Sequence, residues 1–423
     1  MSDAEHKSAF FRQSGWLMIA NLVTGALMWG VHVVTGKTLT EAEYGTVVKM
    51  FAVTILIPVI PLQSVFARET AAAMALGQTQ SLAGLIRKSM AGIFAIWLAA
   101  LVVMLWFQPT ILTEWKVADP APLWLLAVVV LGMMWFPLFF GALQGSQNFL
   151  WLGGSMMVNG TARLLFTCLA VFLVVKSAAG VMAAVTASVV ITLTLSMWQS
   201  RALWTGPSAP FRWRELLPKM IPALMGFTAC QFIFSADTIY VGVFFSAEET
   251  GFYAAAGTLS RALIWLVLPL ATVMFPKLVQ SAARSEKSNL LGLTLLSTLA
   301  LAIVGAVGLV VFGPLAIKLV YKPSYLAVVT DILPWYAGAM IPLSVANVLV
   351  NNLLAKSDMR VVPWLAALAV GYGIAINLWH PSLKAVLQML GGVTMMLFLI
   401  CAVFTWALPR RDNTPSTPAM GGV

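Results

Sequence analysis

The sequence predicts an all-α polytopic membrane protein of about 12 transmembrane helices, arranged as two six-helix bundles related by an internal repeat. Three observations carry that expectation. Hydrophobic residues make up 60% of the 423-residue chain and charged residues only 9%, whereas a soluble domain carries about 25% charged residues. Apolar runs close to the roughly 20 residues needed to cross a bilayer recur from end to end. Features of the first half also return in the second at a constant offset.

Hydropathy and breaker residues place spans at about 13–34, 46–66, 88–107, 122–141, 153–174 and 179–198 in the first half. A second set falls at about 218–241, 251–274, 289–312, 326–350, 360–378 and 384–408. The run from Gly15 to Val34 is too long for a signal-peptide core and reads as a retained first helix. Cys168, Cys230 and Cys401 all lie in apolar runs and read as small core residues. Trp106, Trp115, Trp151, Trp204, Trp213 and Trp379 fall near span ends, where interfacial anchors belong. The connection ARETAAAMALGQTQSLAGLIRK, about 67–87, reads as a surface helix with a small apolar face and a basic one.

The net charge of +10 does not point to nucleic acid, because the basic residues are scattered through short loops. With the N-terminus inside, sixteen of the 25 Lys and Arg residues fall on the cytoplasmic side, from Lys7 and Arg12 to Arg410 and Arg411. Seven fall outside, and all are lysines: Lys37, Lys49, Lys116, Lys176, Lys318, Lys322 and Lys384. This bias puts both termini in the cytoplasm. Arg163 and Arg261, the remaining two, lie within spans.

EAEYGTVV (Glu41 to Val48) and AEETGFYAAA (Ala247 to Ala256) match with Gly45 over Gly251, an offset of 206 residues. Each leads through a proline-bearing span, with Pro58 and Pro61 in one and Pro269 in the other, to Arg68 or Lys277. GALQGSQNF matches LLAKSDMR near the same offset. Six spans restore the starting side, so the halves share one orientation, a transporter signature. The expected organisation is a first bundle over 1–200, a cytoplasmic linker over 201–217, a second bundle over 218–411 and a disordered cytoplasmic tail over 412–423.

DTIYVGVFFSAEETGFYAAAGTLSRALIWLVLPLATVMFPKL (Asp237 to Leu278) resembles the seventh and eighth helices of polysaccharide-exporter flippases. These belong to the multidrug/oligosaccharidyl-lipid/polysaccharide exporter superfamily. TLTEAEYGTVVKMFAVTILIPVIPLQSVFARETA (Thr38 to Ala71) resembles that family's first loop and second helix. The resemblance implies a V-shaped pair of bundles that moves a lipid-linked oligosaccharide by alternating access, with membrane lipids and polysaccharide assembly proteins as further partners. It also implies a cationic cavity. Arg261 falls on the helix where relatives carry a cavity arginine, and Lys49 is the counterpart of a basic residue in helix two.

The buried polar residues suggest the site. Ser155, Asn159, Arg163 and Thr167 recur every four residues and share one helix face. An ionisable side chain in a span normally faces a cavity or a partner. Arg163 and Arg261, one from each half, suit a phosphate-bearing lipid, because guanidinium binds phosphate bidentately and keeps its charge. A helix-bracing role for each arginine is the competing reading. Asn159, Asn347 and Asn351 offer amides to sugar hydroxyls or to neighbouring helices. Asp237 suits ion coupling, neutralisation of Arg261, or a purely structural bond.

Other chemistry is excluded by pattern. GVHVVTGKT has five residues between Gly30 and Gly36 where a phosphate loop needs four, and no strand precedes it. Asn159-Gly160-Thr161 is a glycosylation sequon placed inside a span. No His/Cys/Asp cluster has metal-ligand spacing, and no nucleophile–base set or carboxylate pair presents itself. The sequence therefore reads as neither an enzyme nor a cofactor protein. A multidrug/cation antiporter of the same fold and a polysaccharide-processing membrane enzyme are the alternatives.

Overall fold

Backbone groups immersed in hydrocarbon must find their hydrogen bonds within their own segment, which leaves the helix as the solution for a chain of this composition. The computed structural model describes residues 3–211, 213–283, 290–355 and 358–408. The regular elements among those residues are all helices, and none is a strand. The helices of the first half are α1 (Asp3–Thr38), α2 (Glu41–Ile55), α3 (Val59–Ala75), α4 (Thr79–Trp106), α5 (Gln108–Glu114), α6 (Ala121–Gly145), α7 (Phe149–Leu169) and α8 (Ala178–Gln199). The second half comprises α9 (Trp213–Phe244), α10 (Ala247–Ala283), α11 (Leu290–Val320), α12 (Tyr325–Ala355), α13 (Val362–Leu378) and α14 (Leu383–Ala402). α7 and α14 each end in a π-helical turn, Ala170–Val174 and Val403–Ala407.

Eleven segments among the described residues are long and apolar enough to span a bilayer, with α2 and α3 together making one of them. α10 is the twelfth long helix, and its side chains beyond residue 266 lie outside the described set. The first bundle packs α1 on α7, α3 on α6, and α8 on both α6 and α7. The second packs α9 on α13, α10 on α11 and α12, and α12 on α14. The long helices therefore fall into two bundles.

The helices run past the predicted spans at several ends. The connection at 67–87 is not a surface helix. α3 continues to Ala75, α4 begins at Thr79, and the chain reverses at Gly77 with φ of 69°. That left-handed conformation is open to glycine and strained for most other residues, so one glycine replaces a long loop. The second span is broken rather than continuous. Pro58 has no N–H to donate, and the Val59 N–H turns to Ile57 O at 2.8 Å. Ile55 O is thereby released, and Gln231 Nε2 of α9 donates to it at 3.1 Å.

Trp106, Trp151 and Trp379 are exposed near helix ends. Trp204 instead packs on Phe139, donating through Nε1 to Met197 O at 3.2 Å, and Trp115 is half-buried. The Trp213 side chain and the predicted tail 412–423 lie outside the described residues. The connection between the halves is pinned to the first bundle. Arg87 donates to Trp204 O and Gly206 O, each at 2.6 Å, and Ala209 N–H donates to Gln80 O at 2.9 Å.

Candidate functional site

α2 and α10 occupy equivalent places in the repeat, and they pack directly on each other. Their contact lies at the end of the bundles opposite the chain termini, where α1 ends and α2 begins. A methyl group on Gly45 would fall 2.8 Å from the Gly251 nitrogen, so only glycine permits this approach. Beside it, the fully buried Tyr44 hydroxyl lies 3.1 Å from Thr258 Oγ1, 3.0 Å from the Tyr321 hydroxyl and 3.3 Å from His32 Nδ1. Tyr44 thus ties α1 and α2 of one half to α10 and to Tyr321, the residue after α11, of the other. The Tyr44 ring also meets Tyr321 edge-on at 5.5 Å and Tyr325 at 6.3 Å.

Arg261 and Asp237, read separately from the sequence, meet in the second half. Arg261 Nη2 donates to Asp237 Oδ1 at 2.7 Å, to Oδ2 at 3.0 Å and to Thr238 Oγ1 at 3.0 Å. Tyr253 donates its hydroxyl to Asp237 Oδ2 at 2.9 Å, and Tyr336 donates to the same oxygen. The guanidinium carbon lies 5.2 Å from the Phe234 ring centroid and 5.5 Å from that of Tyr336. Asp237 is wholly buried, and the cluster holds one positive and one negative charge. A guanidinium satisfied in this way has little left for a ligand in this conformation, although its buried Nε makes no hydrogen bond.

Arg163 is placed differently. Among the described residues it forms no ion pair, and its buried Nε has no hydrogen-bond partner. Its guanidinium carbon sits 5.8 Å from the Phe51 ring centroid, and the same ring receives His32 edge-on at 5.7 Å. The predicted polar stripe holds together as a feature. Ser155 Oγ, Asn159 Oδ1 and Thr167 Oγ1 are buried, like Arg163 Nε, on α7, and each lacks a hydrogen-bond partner among the described residues. Thr24 Oγ1 on α1 is buried and unpartnered as well. Native interiors leave few such atoms unsatisfied, so a run of them on one helix calls for an explanation.

The amides of α12 bond locally. Asn351 Nδ2 donates to Asn347 O at 2.8 Å and to Asn347 Oδ1 at 3.1 Å. Lys49 is only 2% exposed, and its Nζ donates to Trp115 O at 2.5 Å. Tyr44, Tyr253 and Tyr336 were missed by sequence reading, because a tyrosine in an apolar run looks like any aromatic core residue. That Tyr253 of α10 and Tyr336 of α12 converge on the buried acid of α9 becomes visible only in three dimensions.

No protein-family model matches the sequence, and no curated protein sequence matches it. Solved structures do. An inward-facing multidrug resistance MATE family transporter of the MOP superfamily superposes with a TM-score of 0.69 at 12% identity, over 91% of this chain and 92% of that one. The lipid II flippase MurJ, in an inward closed conformation, superposes with a TM-score of 0.70 at 13% identity, over 92% and 87%. A MOP superfamily transporter from Pyrococcus furiosus, described by the reverse polarity of its binding pocket, gives 0.56 at 14% identity, over 93% and 94%. The pair of bundles described above is therefore the fold of the MOP superfamily transporters.

Proposed function

We propose that this protein is a flippase that carries a lipid-linked oligosaccharide or polysaccharide intermediate across the cytoplasmic membrane by alternating access. The observation that carries the reading is Arg163, a cation within a span that no carboxylate among the described residues neutralises. An arginine at the bilayer centre costs about 2.5–3.5 kcal/mol or more, which a chain retains where the charge meets a ligand. An anionic lipid-linked headgroup supplies the missing partner, and Asn159, Asn347 and Asn351 offer amides to its sugars. Support comes from the fold, since one similar structure is a lipid II flippase. In this reading Arg261 joins the cavity when Asp237 is neutralised by a proton or cation, which makes the pair the coupling element.

Export of cationic drugs is the second reading, favoured by the buried carboxylate of Asp237 and by likeness to a multidrug transporter. Arg261 already holds that carboxylate, so it offers no net negative charge to a cation.

The test measures outer-leaflet accessibility of lipid-linked oligosaccharide in cells depleted of the protein and complemented with wild type or Arg163→Gln. Restoration by wild type, with at least a tenfold weaker effect from Arg163→Gln at equal membrane abundance, is the expected result. Glycolipid that reaches the outer leaflet equally well without the protein refutes the flippase reading.

A further inference from the structure

The seam at the end opposite the termini carries a second symmetric device, built from residues the transport reading does not use. Lys116 lies in the connection between α5 and α6 of the first half. Its Nζ donates to Val243 O at 3.1 Å and also to Phe245 O, at the end of α9 in the second half. Lys322 lies between α11 and α12 of the second half, and its Nζ donates to Leu39 O, at the end of α1 in the first half, at 2.5 Å. Phe245 is the residue immediately after α9, and Leu39 the residue immediately after α1. Lys116 and Lys322 stand 206 residues apart, as do Leu39 and Phe245, and as do Gly45 and Gly251. The two bonds are one interaction made twice, once in each direction across the seam.

The chemistry suits the place. The last carbonyls of a helix have no donor of their own and carry the negative end of the helix dipole. A lysine ammonium answers both needs, and here each ammonium comes from the opposite bundle. An ordinary helix cap belongs to its own chain neighbourhood and holds nothing shut; these two join bodies that alternating access must separate.

We infer that Lys116 and Lys322 form a reciprocal latch that keeps this end of the molecule closed, and that both arms release when it opens. The inference takes its purpose from the transport reading and its existence from the geometry. Ser324, whose hydroxyl donates to Glu41 across the same seam, reinforces the Lys322 arm. The Lys116 arm has no such helper in the described residues.

The experiment measures the width of the seam directly. Cys168, Cys230 and Cys401 are replaced by alanine, spin labels are attached at Glu114→Cys and Glu248→Cys, and electron–electron distances are recorded on the full chain in lipid nanodiscs. Both label positions are exposed, one in each half at the latched end. Lys116→Met and Lys322→Met are each expected to raise the long-distance population about threefold to tenfold, and the double variant more than either, as for charge-assisted bonds near solvent. Lys116→Arg and Lys322→Arg keep a donor and are expected to retain the short distance. If the double variant does not fold, the two single variants carry the test, because each leaves the other arm intact. An unchanged distribution in the single variants, or a change from only one lysine, overturns the latch. The distances need no cargo, so a seam that opens in the variants while glycolipid movement proves independent of the protein refutes the flippase reading and leaves the latch standing.

Discussion

Gly45 and Gly251 touch across the seam, and they are also equivalent positions of the repeat. Equivalent residues meet only close to the axis that relates them, so this pair marks the pseudo-twofold axis of the molecule. A methyl group on Gly251 would fall 2.1 Å from the Glu41 carbonyl oxygen, which is backbone and has no freedom to swing away. Gly251→Ala is therefore expected to cost about 1–3 kcal/mol of overpacking. Thermal unfolding in detergent checks this, with Gly371→Ala as the control, since nothing lies within 4 Å of a methyl group there. Equal melting temperatures for the two variants refute the contact.

The Arg261–Asp237 pair gives a sharper signature than either residue alone. Removing one partner leaves a buried charge, so Arg261→Met and Asp237→Leu should each cost about 3–5 kcal/mol. Removing both replaces the pair with apolar volume and should recover most of that loss. A double-mutant cycle on unfolding free energy measures the coupling, and additive losses show that the two charges act independently.

Tyr44 reaches both halves through a single hydroxyl. Tyr44→Phe keeps the ring packing and removes the bonds to Thr258 and Tyr321, for an expected loss of about 1–2 kcal/mol. Combined with Thr258→Val, the losses should fall short of their sum, since the second change removes a partner already lost. Strict additivity in the melting data rules out the shared bond.

Arg87 holds the connection between the halves through two carbonyls. Arg87→Ala should raise the rate of tryptic cleavage after Arg201 at least tenfold, with little effect on the spans themselves. An unchanged digestion rate shows that the remaining contact, Ala209 N–H to Gln80 O, suffices to pin the segment.

The architecture was legible because lipid imposes a coarse rule. Length and apolarity located the spans, and the offset between Gly45 and Gly251 exposed the repeat. The break at Pro58 was visible as a residue but not as a gap, because prolines also occur inside continuous helices, as Pro137 does in α6. The extra residues of α3 and α4 escaped because hydropathy reports where lipid ends, and a helix need not end there. Arg163 and Arg261 were both marked as charges out of place, but only side-chain geometry separates the neutralised one from the one without a carboxylate among the described residues. Lys116 and Lys322 show the other failing. Their spacing was on the page, but a lysine in a loop carries no label until the carbonyl it holds is known.

The broken second span has one more consequence. Ile55 O is spared an unsatisfied state by Gln231, a side chain from the other half. When the halves part at that level, the carbonyl and the amide lose each other together, and hydrocarbon offers neither a replacement. Water has to arrive as they separate. The cleft therefore wets before cargo enters it, and the rate of opening should fall as osmotic stress lowers the activity of water.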